Sequence, residues 1–264
     1  MPRTLKLTIA YDGTNFAGWQ RQINGIAIQQ VIEDELTAIV GAHNALMAAG
    51  RTDAGVHAAA QVASVTIDHP IALDDLLRAL NARIKGGEIR IRAIEEMPIG
   101  WSARARAKSK TYRYAIWNGA HPSPFFRHVV WHVPQRLDLD RMSLAAKDLV
   151  GEHDFIAFQG RGADVKTTVR RVLSAEVVEM NIDTDQPVAL SPIELDRGGR
   201  LIRFEISGTG FLRHMVRTIA GTLVDIGRGA KEVDDLRAII ESKDRSRTGQ
   251  TAPAQGLMLW KVSY

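Results

Sequence analysis

The feature that most constrains this chain is a change in hydrophobic period, from two residues to nearly four and back, which occurs twice in a similar order. Over residues 4–11 apolar side chains alternate (Leu5, Leu7, Ile9, Tyr11), as on a strand with one face buried. Ile28, Val31, Ile32, Leu36, Ile39 and Val40 then recur at helical spacing. A short apolar run at 45–49, a second alternation at 61–67, a helical set (Leu73, Leu76, Leu77, Leu80, Ile84) and the pair Ile89 and Ile91 follow. The order is β-α-β-β-α-β, the ferredoxin-like pattern. The second half repeats it loosely. Strands are expected at 110–117 and 129–133, then a helix opening at Asp138 with Leu139, Met142, Ala146 and Leu149. Strands at 169–178 and 201–207, a helix over 211–226, another through Val233, Leu236, Ile239 and Ile240, and a closing strand at 257–262 complete it. The fold class is therefore α+β, with two ferredoxin-like halves, 1–106 and 107–264. The junction, near Arg104 to Lys108, is not rich in Pro or Gly, so the halves are expected to pack together rather than be tethered. Residues 181–199, rich in Asp, Pro and Gly, read as a surface loop.

A chain of 264 residues with 45% hydrophobic and 24% charged side chains can bury a sizeable core. It has no cysteine, which excludes disulfides, a thiolate nucleophile and cysteine-bound zinc. No apolar run approaches the ~18 residues of a membrane span. The first residues alternate like a strand and lack a signal-peptide core, so a cytoplasmic protein is expected. The formal net charge is +4 and the isoelectric point about 9.5. That is compatible with a polyanionic partner, but the placement of charge matters more than its total.

Three basic clusters stand out. Arg104, Arg106, Lys108, Lys110, Tyr112 and Tyr114 lie two residues apart. On one extended strand they would present four cations and two phenols together, the tools with which proteins hold phosphates and stack unpaired bases. On the helix expected from Phe211, an apolar stripe (Leu212, Met215, Val216, Ile219, Leu223, Ile226) leaves Arg213 and Arg217 on another side, beside the small Ala220. Lys166, Arg170 and Arg171 form the third, which alone resembles any charged surface.

Several familiar signals fail. His128 and His132 have the spacing of a zinc helix, but the Val-Val-Trp between them favours a strand, on which they would stand ~13 Å apart. No phosphate loop ending in Gly-Lys-Ser/Thr and no Gly-x-Ser-x-Gly elbow is present. The strongest local signal is Ala49-Gly50-Arg51-Thr52-Asp53-Ala54-Gly55-Val56-His57-Ala58. A carboxylate between two glycines fits either a plain turn or a functional loop; Arg51, Thr52 and His57 are superfluous to the plain turn.

Taken in order, these motifs resemble the bacterial tRNA pseudouridine synthase A family nearly end to end. Tyr11-Asp12-Gly13 with Phe16 and Gly18-Trp19-Gln20 is similar to the family's opening motif, and 50–57 to its catalytic loop. Tyr112-Arg113-Tyr114 is similar to its central strand, and Gly151-Glu152-His153-Asp154-Phe155 to the helix–loop element after it. Gly210-Phe211-Leu212 with Met215-Val216-Arg217 resembles the helix facing its active site. Thr251-Ala252-Pro253-Ala254 with Gly256-Leu257 resembles its tail. Gly100-Trp101-Ser102 departs from the family, where an acidic residue, Phe and His are commoner.

The resemblance implies two halves around a central RNA-binding cleft, and conversion of uridine to pseudouridine at positions 38, 39 and 40 of the tRNA anticodon stem-loop. It also implies a homodimer whose tRNA spans both subunits, with no metal or organic cofactor. The reaction breaks the bond between ribose C1′ and uracil N1, turns the base, and joins C1′ to C5. Asp53 is the expected catalytic carboxylate, acting either as a nucleophile or as a base at C2′. Arg217 matches the family's cation that keeps this carboxylate ionised once substrate excludes water. Tyr112 is expected to stack on the target base and to accept the C5 proton. Arg51 is expected to fill the gap left by the flipped nucleotide. Arg104, Lys108, Lys110 and Arg213 are candidate phosphate contacts, and His57 is expected to be structural. The rival class is a non-catalytic RNA-binding protein or RNA chaperone, which leaves Asp53 without a role. A methyltransferase would need a cofactor loop, which is not found.

Overall fold

The computed structural model describes residues 1–122, 124–162, 165–180 and 199–264. In chain order the elements of the first part are β1 (Arg3–Tyr11), α1 (Ile28–Val40), β2 (Met47–Ala48), β3 (His57–Ile67), α2 (Leu73–Arg83), β4 (Ile89–Met97) and α3 (Ala103–Arg106). They continue with β5 (Ser109–Asn118), β6 (Trp131–His132), α4 (Leu139–Ala146), β7 (Gly151–Asp154), β8 (Val169–Met180) and β9 (Arg200–Gly208). Last come α5 (Met215–Gly227), α6 (Asp235–Ser242) and β10 (Leu257–Ser263). The class is α+β, as the periodicity predicts. Chain contacts divide it into one unit of Met1–Lys110 with Met258–Tyr264 and another of Thr111–Leu257. The loop expected at 181–199 lies, but for Gly199, outside the described residues. Among the described residues no helix is long and apolar enough to cross a membrane.

In the first unit the strands lie in the order β4-β1-β3-β10, with β2 also paired to β3. β1 is antiparallel to both neighbours, so Leu5 faces Val65 across one ladder and Leu7 faces Ala63. Its alternation buries Leu5, Leu7 and Ile9 almost completely. Helix α1 buries Ile28, Ile32 and Leu36, each worth about 1.5–3 kcal/mol relative to exposure. It stops at Gly41, whose φ of 76° closes the helix in the left-handed region. At the outer edge, the Asn81 amide bonds both the N–H and the C=O of Ile91 (2.9 and 2.8 Å). It thereby satisfies edge groups that would otherwise invite another strand.

In the second unit the order is β5-β9-β8-β7, with the two residues of β6 parallel to β5. Tyr112, Tyr114 and Ile116 alternate onto the buried face of β5. Helix α5 is buried nearly all round, Arg217 being its one residue outside the buried set.

Four expectations need correction. Residues 103–106 coil into a helical turn instead of extending β5 backwards, because the Ser102 hydroxyl accepts the Ala105 N–H (3.3 Å) and Ala103 is wholly buried. Arg104 and Arg106 therefore sit on a helical turn rather than on the strand that carries Lys110, Tyr112 and Tyr114, and Arg104 still acts on the Lys110 charge. The strand at 129–133 shrinks to Trp131–His132 because Val129 and Val130 both donate back to the Phe126 carbonyl in a turn. The helix expected from Phe211 starts at Met215, since His214 takes a φ of 61° that interrupts it. Arg213 therefore precedes the helix. Finally, 151–154 is a strand antiparallel to β8, not a helix–loop element, followed by a short 3-10 turn.

Candidate active site

The loop around Asp53 is built by close backbone approach. The register between β1 and β3 shifts after Ile9, and such a bulge re-aims a strand. Past it, the Tyr11 phenol lies 2.7 Å from the Thr52 hydroxyl. Burial pushes that phenol up to about 12, against the pull of its Thr52 and Gln61 hydrogen bonds. It stays protonated at working pH. Gln61 donates to the Gly50 carbonyl (2.8 Å), and the Trp19 N–H donates to the Thr52 carbonyl (3.0 Å). Asp53 opens a tight turn in which Val56 donates back to its carbonyl (3.1 Å). Gly55 in that turn has a φ of 75°, a conformation that favours glycine.

Two glycines of the opening motif make this possible. A Cβ on Gly13 would lie 2.1 Å from the Val56 carbonyl oxygen. One on Gly18, whose φ is 96°, would lie 2.7 Å from the Thr52 carbonyl oxygen and 3.1 Å from the Asp53 carbonyl carbon. The opening motif and the Asp53 loop are thus one backbone assembly, a link invisible in the sequence. His57 is almost fully buried, and its Nδ1 accepts the Gly13 N–H (3.1 Å), a structural contact.

The structure leaves Asp53 half-buried and Arg51 exposed, while Thr52 between them is buried. Lys110 runs across the start of the loop: a Cβ on Gly50 would meet its Cε at 3.1 Å. Burial, and then the neighbouring charge of Arg104, hold the Lys110 ammonium below the usual lysine range. Arg104 and Lys108 are exposed, and the Lys108 N–H pairs with the Ser263 carbonyl (2.8 Å). The departure at 100–102 has local work to do. Trp101 packs on Tyr264 with ring centroids 5.0 Å apart, and Ser102 caps α3.

In the second unit Tyr112 is 7% exposed, with its ring edge-on to Phe211 at 5.2 Å. Arg217 is held by the tail. Its Nε donates to the Ala252 carbonyl (2.7 Å), and Ala252 donates back to the Arg217 carbonyl (3.1 Å). The neighbouring Pro253 carbonyl accepts the Tyr114 hydroxyl (2.7 Å). Burial raises the Tyr114 phenol, and the Arg217 charge only partly opposes that. Gly221 lets the tail come this close, since a Cβ there would lie 1.8 Å from the Gln250 carbonyl oxygen. Arg213 is exposed and donates to the Arg161 carbonyl (3.1 Å). Arg170 bonds the carbonyls of Thr167 and Val169. Among the described residues no three His, Asp or Glu side chains converge as a metal site requires.

The resemblance points to Asp53, Arg217 and Tyr112, and it includes Tyr11, Gly18 and Ala252 among its motif residues without giving them a role. In the structure Tyr11, Gly18 and Gln61 hold the Asp53 loop and Ala252 holds Arg217; Gln61 is the one of these four that the motifs pass over.

Comparison with known proteins agrees with this arrangement of motifs. A family model described as tRNA pseudouridine synthase matches residues 145–264. The chain is 43% identical to the tRNA pseudouridine synthase A of Geotalea uraniireducens over 262 residues, covering 99% of this chain and all of the relative. Identity to the protein of that name from Pelobacter propionicus is 43%, and to that from Acetivibrio thermocellus 41%, each again covering 99% of this chain and 100% of the relative. At such identity over nearly the whole length, the chain belongs to the tRNA pseudouridine synthases, a family of isomerases.

Proposed function

We propose that this enzyme isomerises uridine to pseudouridine at positions 38, 39 and 40 of the tRNA anticodon stem-loop, with Asp53 as the essential carboxylate. The observation that carries the reading is the Asp53 turn, a partly exposed carboxylate on a backbone pinned from both sides. A plain surface turn needs no such bracing by Tyr11, Gly13, Gly18 and Gln61. Catalytic groups do, because small displacements forfeit much of the rate. Asp53 acts at the ribose or on the uracil, as a nucleophile, or as a base at C2′. Arg217, oriented by its bond to Ala252, is assigned the role of keeping the carboxylate ionised when water is expelled. Tyr112 is assigned the stacking contact to the target base and the acceptance of the C5 proton. Arg51 fills the space the nucleotide vacates, and Arg104, Lys108, Lys110 and Arg213 hold phosphates. The protein works as a cytoplasmic homodimer without metal or organic cofactor.

The test is tritium release from tRNA labelled at uridine C5. Wild type should release tritium, and Asp53→Ala should bind tRNA but release none. Binding without release by wild type would instead indicate a non-catalytic RNA-binding protein. Tyr112→Phe should bind normally but form product slowly.

A further inference from the structure

A short turn beside the Asp53 loop carries an apolar side chain into solvent on a rigid mount. The N–H of Ala17 donates to the Ile26 carbonyl, Ile28 to Gly18, and Gln29 to Trp19 (2.8, 3.1 and 3.0 Å). Residues 17–19 and 26–29 therefore form a closed base, and the same Trp19 N–H reaches Thr52. Between them, Gln22 bridges to Gly25 across the turn. The arm is braced along its length. Arg21 Nε donates to the buried Glu33 (2.9 Å), its guanidinium also pairs with Asp34, and its backbone N–H donates to the Gln29 side chain (3.1 Å). The Gln22 amide donates to the Ala17 carbonyl (2.7 Å). At the tip Ile23 is fully exposed, at 100%, and Ile26 is 61% exposed.

Two facts separate this arm from an ordinary loop. Ile23 at the turn tip packs against nothing in its own chain, and single exposed hydrophobes are ordinary, so what distinguishes it is its mounting and its place beside the Asp53 loop. The bracing removes the freedom that a contact would otherwise have to quench. The base of the arm is the segment whose glycine lets the Asp53 backbone approach. Nucleic-acid-binding proteins insert isoleucine and similar side chains between bases, where they replace lost stacking. Bases in an RNA loop offer such apolar faces.

We infer that residues 20–26 form a wedge that carries Ile23 against an unpaired base in the RNA loop, next to the nucleotide served by Asp53. This rests on the proposed function and adds to it a contact that opposes restacking of the flipped nucleotide.

The experiment uses full-length tRNA labelled at uridine C5, with 2-aminopurine in the anticodon loop beside the target uridine. It compares wild type, Ile23→Ser and the conservative Ile23→Leu by fluorescence, filter binding, tritium release and thermal melting. Ile23→Ser should raise KM about tenfold, as loss of one buried aliphatic side chain predicts. It should also abolish most of the fluorescence rise and leave kcat and the melting transition unchanged. Ile23→Leu should restore both KM and fluorescence. Wild-type KM and fluorescence in Ile23→Ser would overturn the inference, as would a fall in kcat alone or a lowered melting transition. A change of sedimenting mass in Ile23→Ser would make the arm a surface for a second copy of the chain and likewise overturn it. If wild type releases no tritium, the proposed function falls. Binding and fluorescence then still decide whether Ile23 touches an unpaired base.

Discussion

Replacing Gly18 with alanine should damage catalysis as well as stability, and Gly41 supplies the control for backbone strain alone. Both glycines have positive φ, 96° and 76°, so alanine costs about 1–2 kcal/mol of backbone strain at either site. Their surroundings differ. A Cβ at Gly41 meets nothing within 4 Å, whereas one at Gly18 lies 2.7 Å from the Thr52 carbonyl oxygen and 3.1 Å from the backbone of Asp53 and Ala54. All three atoms are backbone, so none can rotate away. Restoring an ordinary contact of about 3.4 Å or more requires the Thr52 oxygen to move by roughly 0.7 Å, and Asp53 follows it. A displacement of ~1 Å at a reacting group lowers turnover by about 10²-fold. Urea unfolding should therefore show a loss of about 1–2 kcal/mol for Gly41→Ala from strain alone, and a further ~1–3 kcal/mol for Gly18→Ala, whose methyl group is also overpacked. Tritium release should fall by roughly 10- to 100-fold in Gly18→Ala alone. Wild-type kcat in folded Gly18→Ala would refute the reasoning, as would an equal fall in Gly41→Ala.

Other outcomes follow from the same contacts. The Tyr11 phenol is raised by burial to about 12 from an ordinary 10.0. Its contribution to stability is thus whole below pH 10 and lost as pH rises through 12, at up to ~1.4 kcal/mol per pH unit. Tyr11→Phe should remove that part of the alkaline decline, as measured by urea unfolding at pH 9–12 against wild type. Arg217→Ala should reduce kcat by about 100-fold or more while tRNA affinity in filter binding changes by only a few-fold; near-normal turnover would remove Arg217 from catalysis. Alanine at Arg104, Lys108 or Arg213 should each lower the slope of log affinity against log salt by about 0.7–0.9. An unchanged slope would take that side chain off the phosphate path.

Most elements of this fold are legible because their causes are local. Leu5, Leu7 and Ile9 alternate because a strand offers its two faces in turn, and Ile28, Ile32 and Leu36 recur because a helix repeats every 3.6 residues. Where the structure departs from the local pattern, a contact that the pattern does not encode decides the backbone. Phe211 and Leu212 fit the apolar period of α5, yet His214 breaks it. The Arg213 carbonyl beside it is held by the Gly160 N–H at 2.8 Å. The Arg104-to-Tyr114 alternation looked like one strand, but the Ser102 cap and the burial of Ala103 wind its first part into a turn. Strand 151–154 is too short and polar to announce itself, and pairing with β8 makes it a strand.

The site divides in the same way. The sequence by itself determined which side chains were candidates, because Asp53 between two glycines, and arginines beside small residues, are chemical statements that need no coordinates. It also determined what was excluded, since a chain without cysteine has no thiol chemistry. Only the tertiary structure decided what makes those candidates rigid: Gly13 and Gly18 under the Asp53 turn, Gln61 on the Gly50 carbonyl, and the 249–252 segment against Gly221 with Ala252 on Arg217. These are meetings of backbones tens of residues apart. A single sequence carries no local signal of such distance, because the glycine that permits an approach looks the same as one that merely turns.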